Sequence, residues 1–438
     1  MANNIFINKK IRAFNKTITV SGDKSLSIRW VLLSSIANGV SKSSNLLMSE
    51  DVIAAIEIIR KLGIKAIFKN KICIIEGKGI DGYKYKKNLT LNAKNSGTLG
   101  RLILGLLVNS TKKIKLIGDK SLSKRDFERI AIPLRKFGAT IKLKKKGLPL
   151  SIICSKKLNP IRYFEKKASA QCKSSVIFAG FRTEGTTFIK AKKSRNHTEL
   201  LCKYLKLPIK IKQQKNFDLI EVNKIKKINP INYKIPSDIS SSAFFIVLTV
   251  LSENSKLLIK NININPSRTG VITILRMMGV KIKLKNIKNY KGENVADIYV
   301  ESTKNLKPIN CPTNLNSSSI DEFLLIFLVA AKANGISTFK KLSELNEKES
   351  PRLFWGSKIL NLIGIKNKLT NDSIKIFGDP NIVTKKKIVI KNFLKDHRVF
   401  MTSVIGALTF GGNWKIHDKD SINTSFPLFL KLINDINK

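Results

Sequence analysis

The sequence predicts an α/β protein built from six repeated units, grouped as two pseudo-symmetric domains of three units each. Two recurrences carry this expectation. A helical stretch ending in an apolar residue plus glycine, followed by a β-like run, appears at Lys61-Leu62-Gly63-Ile64, Lys136-Phe137-Gly138-Ala139, Met277-Met278-Gly279-Val280 and Leu362-Ile363-Gly364-Ile365. Glycine there suits the left-handed residue that ends many helices. Successive glycines stand 75, 141 and 85 residues apart, and the long interval holds Leu205-Lys206-Leu207-Pro208-Ile209, where proline is expected to stop the helix. A second marker runs out of phase at Asn38-Gly39, Asn109-Ser110, Glu184-Gly185, Glu253-Asn254, Asn334-Gly335 and Gly411-Gly412, each after an apolar helical stretch and before a strand-like run. Units of roughly 70–80 residues exceed the usual solenoid period, so a linear array is disfavoured. A chance recurrence of helix-end glycines is the competing explanation.

The stretches that open each unit's first helix are, in order, Asp23-Lys24-Ser25, Asn95-Ser96-Gly97-Thr98, Ser169-Ala170-Gln171, Asp238-Ile239-Ser240-Ser241, Ser318-Ser319-Ile320-Asp321 and Asp396-His397-Arg398. All contain residues that cap helix N-termini. Capping does not explain Lys24, Gln171 or Arg398, because a basic residue at the positive end of a helix dipole is unfavourable. A bound anion removes the conflict, since helix N-termini and basic side chains together make phosphate and carboxylate sites.

The 438 residues suggest two to four domains at roughly 100–200 residues each. Hydrophobic residues make up 43%, enough for real cores. Lysine and arginine number 81 against 30 acids, a net charge of +51 that favours anionic partners. The lysines are spread through the chain among Ile and Asn, a texture of background composition rather than a focused basic arm. Aromatics are only 7% and no recognition motif is present, so a specific nucleic-acid partner is not expected. The longest apolar runs, Ala243–Leu251 and Phe323–Ala331, fall short of the roughly 20 residues of a membrane span, and the N-terminus shows no secretory pattern. Five cysteines without a CxxC pair and three histidines indicate reduced thiols in a cytoplasmic protein and no metal site.

An ordered set of motifs runs along the chain: Ser21-Gly22-Asp23-Lys24-Ser25-Leu26-Ser27-Ile28-Arg29, Asn95-Ser96-Gly97-Thr98 with Arg101, Gly118–Arg125, Ala168–Ser174, Ser194–Glu199, Pro236–Ser241, Asn265–Gly270, Ile320-Asp321-Glu322, Glu347–Arg352 and Asp396-His397-Arg398. The first is similar to the PGDKSxSHR segment of the 5-enolpyruvylshikimate-3-phosphate synthase family, and the set in this order resembles that family. The resemblance implies two domains of three βαβαββ units, an inverse α/β barrel-like arrangement with the active site in the interdomain cleft. Residues 24–238 would form one domain, 1–23 plus 239–438 the other, with hinges near 22–24 and 237–240. The implied reaction moves the enolpyruvyl group of phosphoenolpyruvate to the 5-hydroxyl of shikimate 3-phosphate, releasing phosphate through a tetrahedral ketal, on the shikimate pathway to chorismate. It further implies small-molecule partners, no metal or organic cofactor, a monomer, and inhibition by glyphosate.

Carried over by motif, Asp321 is the expected base and Glu349 the proton shuttle, with Lys24 assisting. Lys24, Gly97, Arg125, Gln171, Arg352 and Arg398 would hold phosphoenolpyruvate. Lys24, Ser25, Arg29, Ser169, Ala170, Gln171, Arg195, Asp321 and Lys348 would hold shikimate 3-phosphate, with Ser194 a neighbour. Taken alone, Arg125 and Arg352 would read as solvated charges, His397 as structural, and Glu349 beside Lys348 as an exposed pair of little energy. Four positions depart from the family pattern: Ser21, Ile28, Pro351 and Thr424. Pro351 is expected to bend the start of the helix that carries Arg352. The other enolpyruvyl transferase type, acting on UDP-N-acetylglucosamine, usually has a cysteine in the loop corresponding to residues 118–125, and this loop has none.

Overall fold

A computed structural model describes residues 3–438. The chain divides into two compact units: one spans Gly22–Ile235 together with Tyr290–Glu293, and the other takes the described residues up to Ser21, Pro236–Asn289 and Asn294–Lys438. Both changeovers fall two to three residues before the expected limits at 24 and 238. The short segment Tyr290–Glu293 joins the first unit out of order, and no sequence signal indicated it. Its side chains explain the assignment: the Tyr290 ring lies 5.5 Å from that of Tyr233, and Glu293 lies 2.7 Å from His197.

Among the described residues the strands form six sheets, three in each unit. In four of these sheets the pattern is a short strand, a helix, a parallel strand, a second helix, and an antiparallel hairpin added to the same sheet; the other two have three strands. Thus Leu89–Asn92 runs parallel to Ile114–Ile117, which pairs antiparallel with Gly147–Ile153 and through it Thr140–Lys144. Arg162–Glu165, Thr187–Lys192, Phe217–Val222 and Ile209–Gln213 repeat the arrangement. Where the chain changes unit, the short strand comes from elsewhere. Tyr233–Lys234 supplies it beside Asn38–Ser44, and Asn15–Ile18 supplies it beside Lys256–Asn263.

The first helix of every repeat is apolar on nearly all sides, and this fixes the layering. These are α1 (Lys24–Ser35), α2 (Gly97–Leu106), α3 (Ala170–Gly180), α4 (Ile239–Leu251), α5 (Phe323–Ala331) and α6 (His397–Phe410). All residues of α5 and α6 are buried, as is α1 from Leu26 onward. A helix hydrophobic all round belongs inside. In each unit such helices pack on one another, α2 against α1 and α3, and α4, α5 and α6 mutually, with sheets outside. Two separate hydrophobic cores result.

Gly63, Gly138, Gly279 and Gly364 follow their helices at φ of +85°, +115°, +91° and +110°. In the third repeat the left-handed residue is Lys206, at φ +53°, rather than a proline stop. The energetic cost of a side chain there is small enough for tertiary packing to cover. No helix among the described residues is long and apolar enough to cross a membrane. All five cysteines are buried and unbridged.

Candidate active site

In the first unit the helix N-termini carry the polar groups. Asp23 caps α1, its carboxylate accepting from the Leu26 amide at 2.8 Å, so Lys24 and Ser25 occupy the first turn. The Lys24 ammonium lies 3.2 Å from Asp51, at the start of the helix Glu50–Lys61. One turn along α1, buried Arg29 donates from Nε to Thr198 (2.7 Å), from Nη1 to the Ser25 carbonyl (3.0 Å) and from Nη2 to Ser174 (3.2 Å). Burial pulls its pKa from 12.5 to about 10, opposed by Glu199 and reinforced by nearby Arg195.

Ser96 caps α2 and Ser169 caps α3, each accepting a main-chain N–H at 3.3 Å. A second arginine, Arg101 on α2, donates to the Gln171 side-chain carbonyl, while the Gln171 amide donates to Thr98 at 2.9 Å. Arg101 also lies 5.2 Å over the Phe127 ring. Burial lowers its pKa to about 10, and Arg125 and Arg129 add to the effect. Gly97 lies beneath two guanidinium groups: a Cβ there would stand 3.0 Å from Arg125 Nη1 and 3.3 Å from Arg101 Nη1. Arg125 is held by Asn95 at 3.0 Å, and Asn95 by Asp119 at 2.6 Å. Burial destabilises the charged forms of Arg29 and Arg101, and further cations stand beside each, so a nearby anion is favoured.

The second unit inverts that balance. Arg352, only 2% exposed, makes a bidentate contact with Asp396 (Nε to Oδ2 2.9 Å, Nη2 to Oδ1 3.2 Å). It also bonds Glu349 and approaches Asp321 at 3.4 Å. Burial alone would lower its pKa, yet Asp396, Glu349 and Asp321 together hold it above the ordinary value. Arg398 donates to the Asp321 carbonyl at 2.7 Å and lies 3.7 Å from both the Asp321 and Glu322 carboxylates. Asp396 serves twice, since it also caps α6 through the Arg398 amide at 2.9 Å. Two carboxyl groups on one shared guanidinium can exchange protons with a ligand while that guanidinium and Arg398 face its charge.

A family model described as EPSP synthase (3-phosphoshikimate 1-carboxyvinyltransferase) matches residues 8–433. The chain belongs to the EPSP synthase family. The 3-phosphoshikimate 1-carboxyvinyltransferase of Ruthia magnifica subsp. Calyptogena magnifica is 39% identical over 433 residues, 98% of this chain and 97% of that one. The protein of the same name from Caldicellulosiruptor bescii is 37% identical over 425 residues, 96% of each chain. A solved EPSP synthase from Acinetobacter baumannii matches with a TM-score of 0.87 at 35% identity, covering 99% of this chain and 98% of that one. The enolpyruvyl transferase NikO from Streptomyces tendae matches at a TM-score of 0.77 and 14% identity, over 100% and 98% of the two chains, and so shares the fold.

Against the family motifs, the structure groups Lys24, Ser25, Arg29, Gly97, Arg125, Ser169, Ala170, Gln171 and Arg195 in the first unit. It clusters Asp321, Glu349, Arg352 and Arg398 in the second. Lys348 is the exception, its ammonium pairing with exposed Glu344 at 3.0 Å. The expected cap fails at α5. Five of the six helices have a side-chain cap, but α5 starts after Glu322 without one, leaving Asp321 one residue outside. Pro351 does not bend the helix it precedes. At φ −69° it takes the N-cap position of Arg352–Ile363, and its carbonyl accepts the Trp355 amide at 3.0 Å. Thr424 lies 3.4 Å from His397 Nδ1 and donates to the Ser421 carbonyl at 2.9 Å.

Sequence reasoning assigned no role in binding or catalysis to Asp51, Arg101, Asp396 or Glu322. Asp51 carried a weak signal, an acid in the first turn of an otherwise apolar helix face. The others sit inside quoted motifs, but nothing in a linear sequence shows that Asp396 reaches Arg352. Among the described residues no group of three or more His, Cys, Asp or Glu is placed to hold a metal ion.

Proposed function

We propose that the chain transfers the enolpyruvyl group of phosphoenolpyruvate to the 5-hydroxyl of shikimate 3-phosphate. The two units would be the domains expected at 24–238 and at 1–23 plus 239–438, with limits adjusted as above. The observation that carries the reading is the Arg352 cluster, in which Asp321 and Glu349 share one buried guanidinium beside Arg398.

Asp321 takes the proton of the attacking 5-hydroxyl, and Glu349 delivers one to the methylene carbon of phosphoenolpyruvate. The C–O bond that forms gives a tetrahedral ketal. Glu349 then recovers a proton from the new methyl group as the C–O bond to phosphate breaks, restoring the double bond; the hydroxyl proton leaves with phosphate or solvent. Arg352 and Arg398 release part of their pairing to Asp321 and Glu349 as the anionic substrate arrives, which couples binding to the freeing of both carboxylates. Lys24, Gly97, Gln171 and Arg125 serve phosphoenolpyruvate, Lys24 also assisting proton transfer. Ser25, Arg29, Ser169, Ala170, Gln171, Arg195 and Lys348 serve shikimate 3-phosphate. The support is the pair of dehydrated cations in the first two turns of their helices, Arg29 on α1 and Arg101 on α2. A monomeric, cytoplasmic protein belongs to the same reading, supported by sequence alone.

The experiment is phosphate release from both substrates without added metal. Release should need both substrates, and equal turnover with UDP-N-acetylglucosamine as acceptor would overturn the proposal.

A further inference from the structure

The short helix His197–Tyr204 begins with three buried polar residues: His197 and Thr198 are 0% exposed and Glu199 3%. His197 meets Glu293, and Thr198 receives Arg29, but Glu199 faces Lys173 on α3 at 2.5 Å, the two side chains 4% and 0% exposed. The reaction described above uses neither member of this pair. Apolar residues of the same size would fill the volume without the cost of dehydrating two charges, so stability is a poor account of it.

We propose that Lys173 and Glu199 are a positioning pair that fixes Arg29 for shikimate 3-phosphate, an inference that rests on the reading of Arg29 given above. Lys173 and Ser174 are neighbours on α3; Thr198 and Glu199 are neighbours on the short helix. The ion pair and the 2.7 Å Ser174–Thr198 hydroxyl contact are therefore two parallel rungs joining the same two helices. Arg29 donates to both members of the hydroxyl rung. An eight-residue helix has little stability of its own, so the ion pair sets the spacing of the two acceptors.

The consequence falls on the guanidinium. One hydrogen on each of its three nitrogens is committed to Thr198, Ser25 and Ser174, which leaves two of five N–H groups for an incoming anion. Glu199 is also the largest of the charges that offset the burial of Arg29. Without the pair, the acceptors separate and the two remaining donors lose their fixed placement.

The test compares wild type, Lys173→Arg, and the double variant Lys173→Met/Glu199→Leu, which removes both charges and so avoids stranding one. The readouts are steady-state kinetics, melting temperature, and the hydrogen-exchange rate of the Arg29 Nε–H measured by NMR on arginine-labelled protein. The double variant should melt within about 3 °C of wild type, because an apolar replacement spares the dehydration cost. Its KM for shikimate 3-phosphate should rise about tenfold, with kcat and the KM for phosphoenolpyruvate within about twofold, and its Nε–H should exchange at least tenfold faster. Lys173→Arg, which keeps the charge, should stay near wild type. Unchanged KM and exchange in a folded double variant would overturn the proposal. If the double variant does not fold, Lys173→Arg decides: native-like KM and exchange support the charge-based role, and their loss refutes it. Wild type without turnover would sink the activity reading instead, and the Nε–H exchange would still decide whether the pair holds Arg29.

Discussion

Replacing Asp396 by Asn tests whether the carboxylate that no chemistry requires is what holds Arg352 in place. Asp396 is fully buried and accepts from Arg352 twice, from Ser350 at 2.9 Å and from the Arg398 amide at 2.9 Å. Asparagine keeps the oxygen that caps α6 and meets Arg352 Nη2. Its amide nitrogen replaces the oxygen facing Arg352 Nε and Ser350, so one charge-assisted hydrogen bond is lost and two donors face each other. A hydrogen bond to a charged group contributes about 1.5–3 kcal/mol. Losing a whole buried partner costs about 3–5 kcal/mol. Asp321 and Glu349 remain to balance the guanidinium, which keeps the loss near the lower range, about 2–3 kcal/mol. For a domain of this size that lowers the melting temperature by about 5–10 °C. Arg352 then leans on Asp321 and Glu349, so kcat/KM for phosphoenolpyruvate falls by roughly 10²-fold, the kinetic equivalent of the same energy. Calorimetry without substrates and phosphate release measure the two effects. Asp420→Asn is the control, an exposed carboxylate paired with Lys395 at 2.7 Å, where little change is expected. A variant that melts with wild type, or one that melts early yet keeps its phosphoenolpyruvate kinetics, refutes the reasoning.

Asp321→Asn and Glu349→Gln should each lower turnover by roughly 10²–10⁴-fold. Both should also lower the melting temperature, because each helps neutralise buried Arg352; near-normal turnover removes that residue from the mechanism. Gly97→Ala places a methyl group 3.0 Å from Arg125 Nη1. The flexible arginine tip must yield by a few tenths of an ångström, so glyphosate inhibition should weaken more than phosphoenolpyruvate use, and superimposable inhibition curves would sink the steric argument. Stability should fall above about pH 9. Burial raises the pKa of Cys73 from 9.0 to about 12 and of Cys311 to about 11, so between those values the unfolded chain releases protons that the folded chain keeps. Melting curves from pH 8 to 11 check the sign, and a Cys73→Ala/Cys311→Ala variant should show a shallower decline.

The repeat architecture was legible because helix ends demand special backbone geometry. Glycine is the least costly residue at positive φ, so Gly63, Gly138, Gly279 and Gly364 marked four helix ends in the linear sequence. Lys206 escaped notice because a residue with a side chain can adopt the same geometry when its surroundings compensate. N-caps were legible for a related reason, since Asp23, Ser96, Ser169, Asp238 and Asp396 satisfy local amides two or three residues away. Several motifs quoted for the family, Asp23-Lys24-Ser25, Asn95–Thr98, Ser169-Ala170-Gln171 and Asp396-His397-Arg398 among them, stand at those same helix starts.

Partnerships across the sequence were not legible. Arg352 and Asp396 are 44 residues apart, Arg29 and Thr198 are 169 apart, and no local preference encodes either pair. The same holds for Tyr290–Glu293, a hairpin tip that its own sheet neighbours would have placed in the other unit. Sequence by itself determined where helices start and stop and which side chains stand at their ends, because those are contests among neighbouring residues. Only the tertiary structure decided which carboxylate neutralises which guanidinium, because that depends on burial, and burial is set when the helices pack.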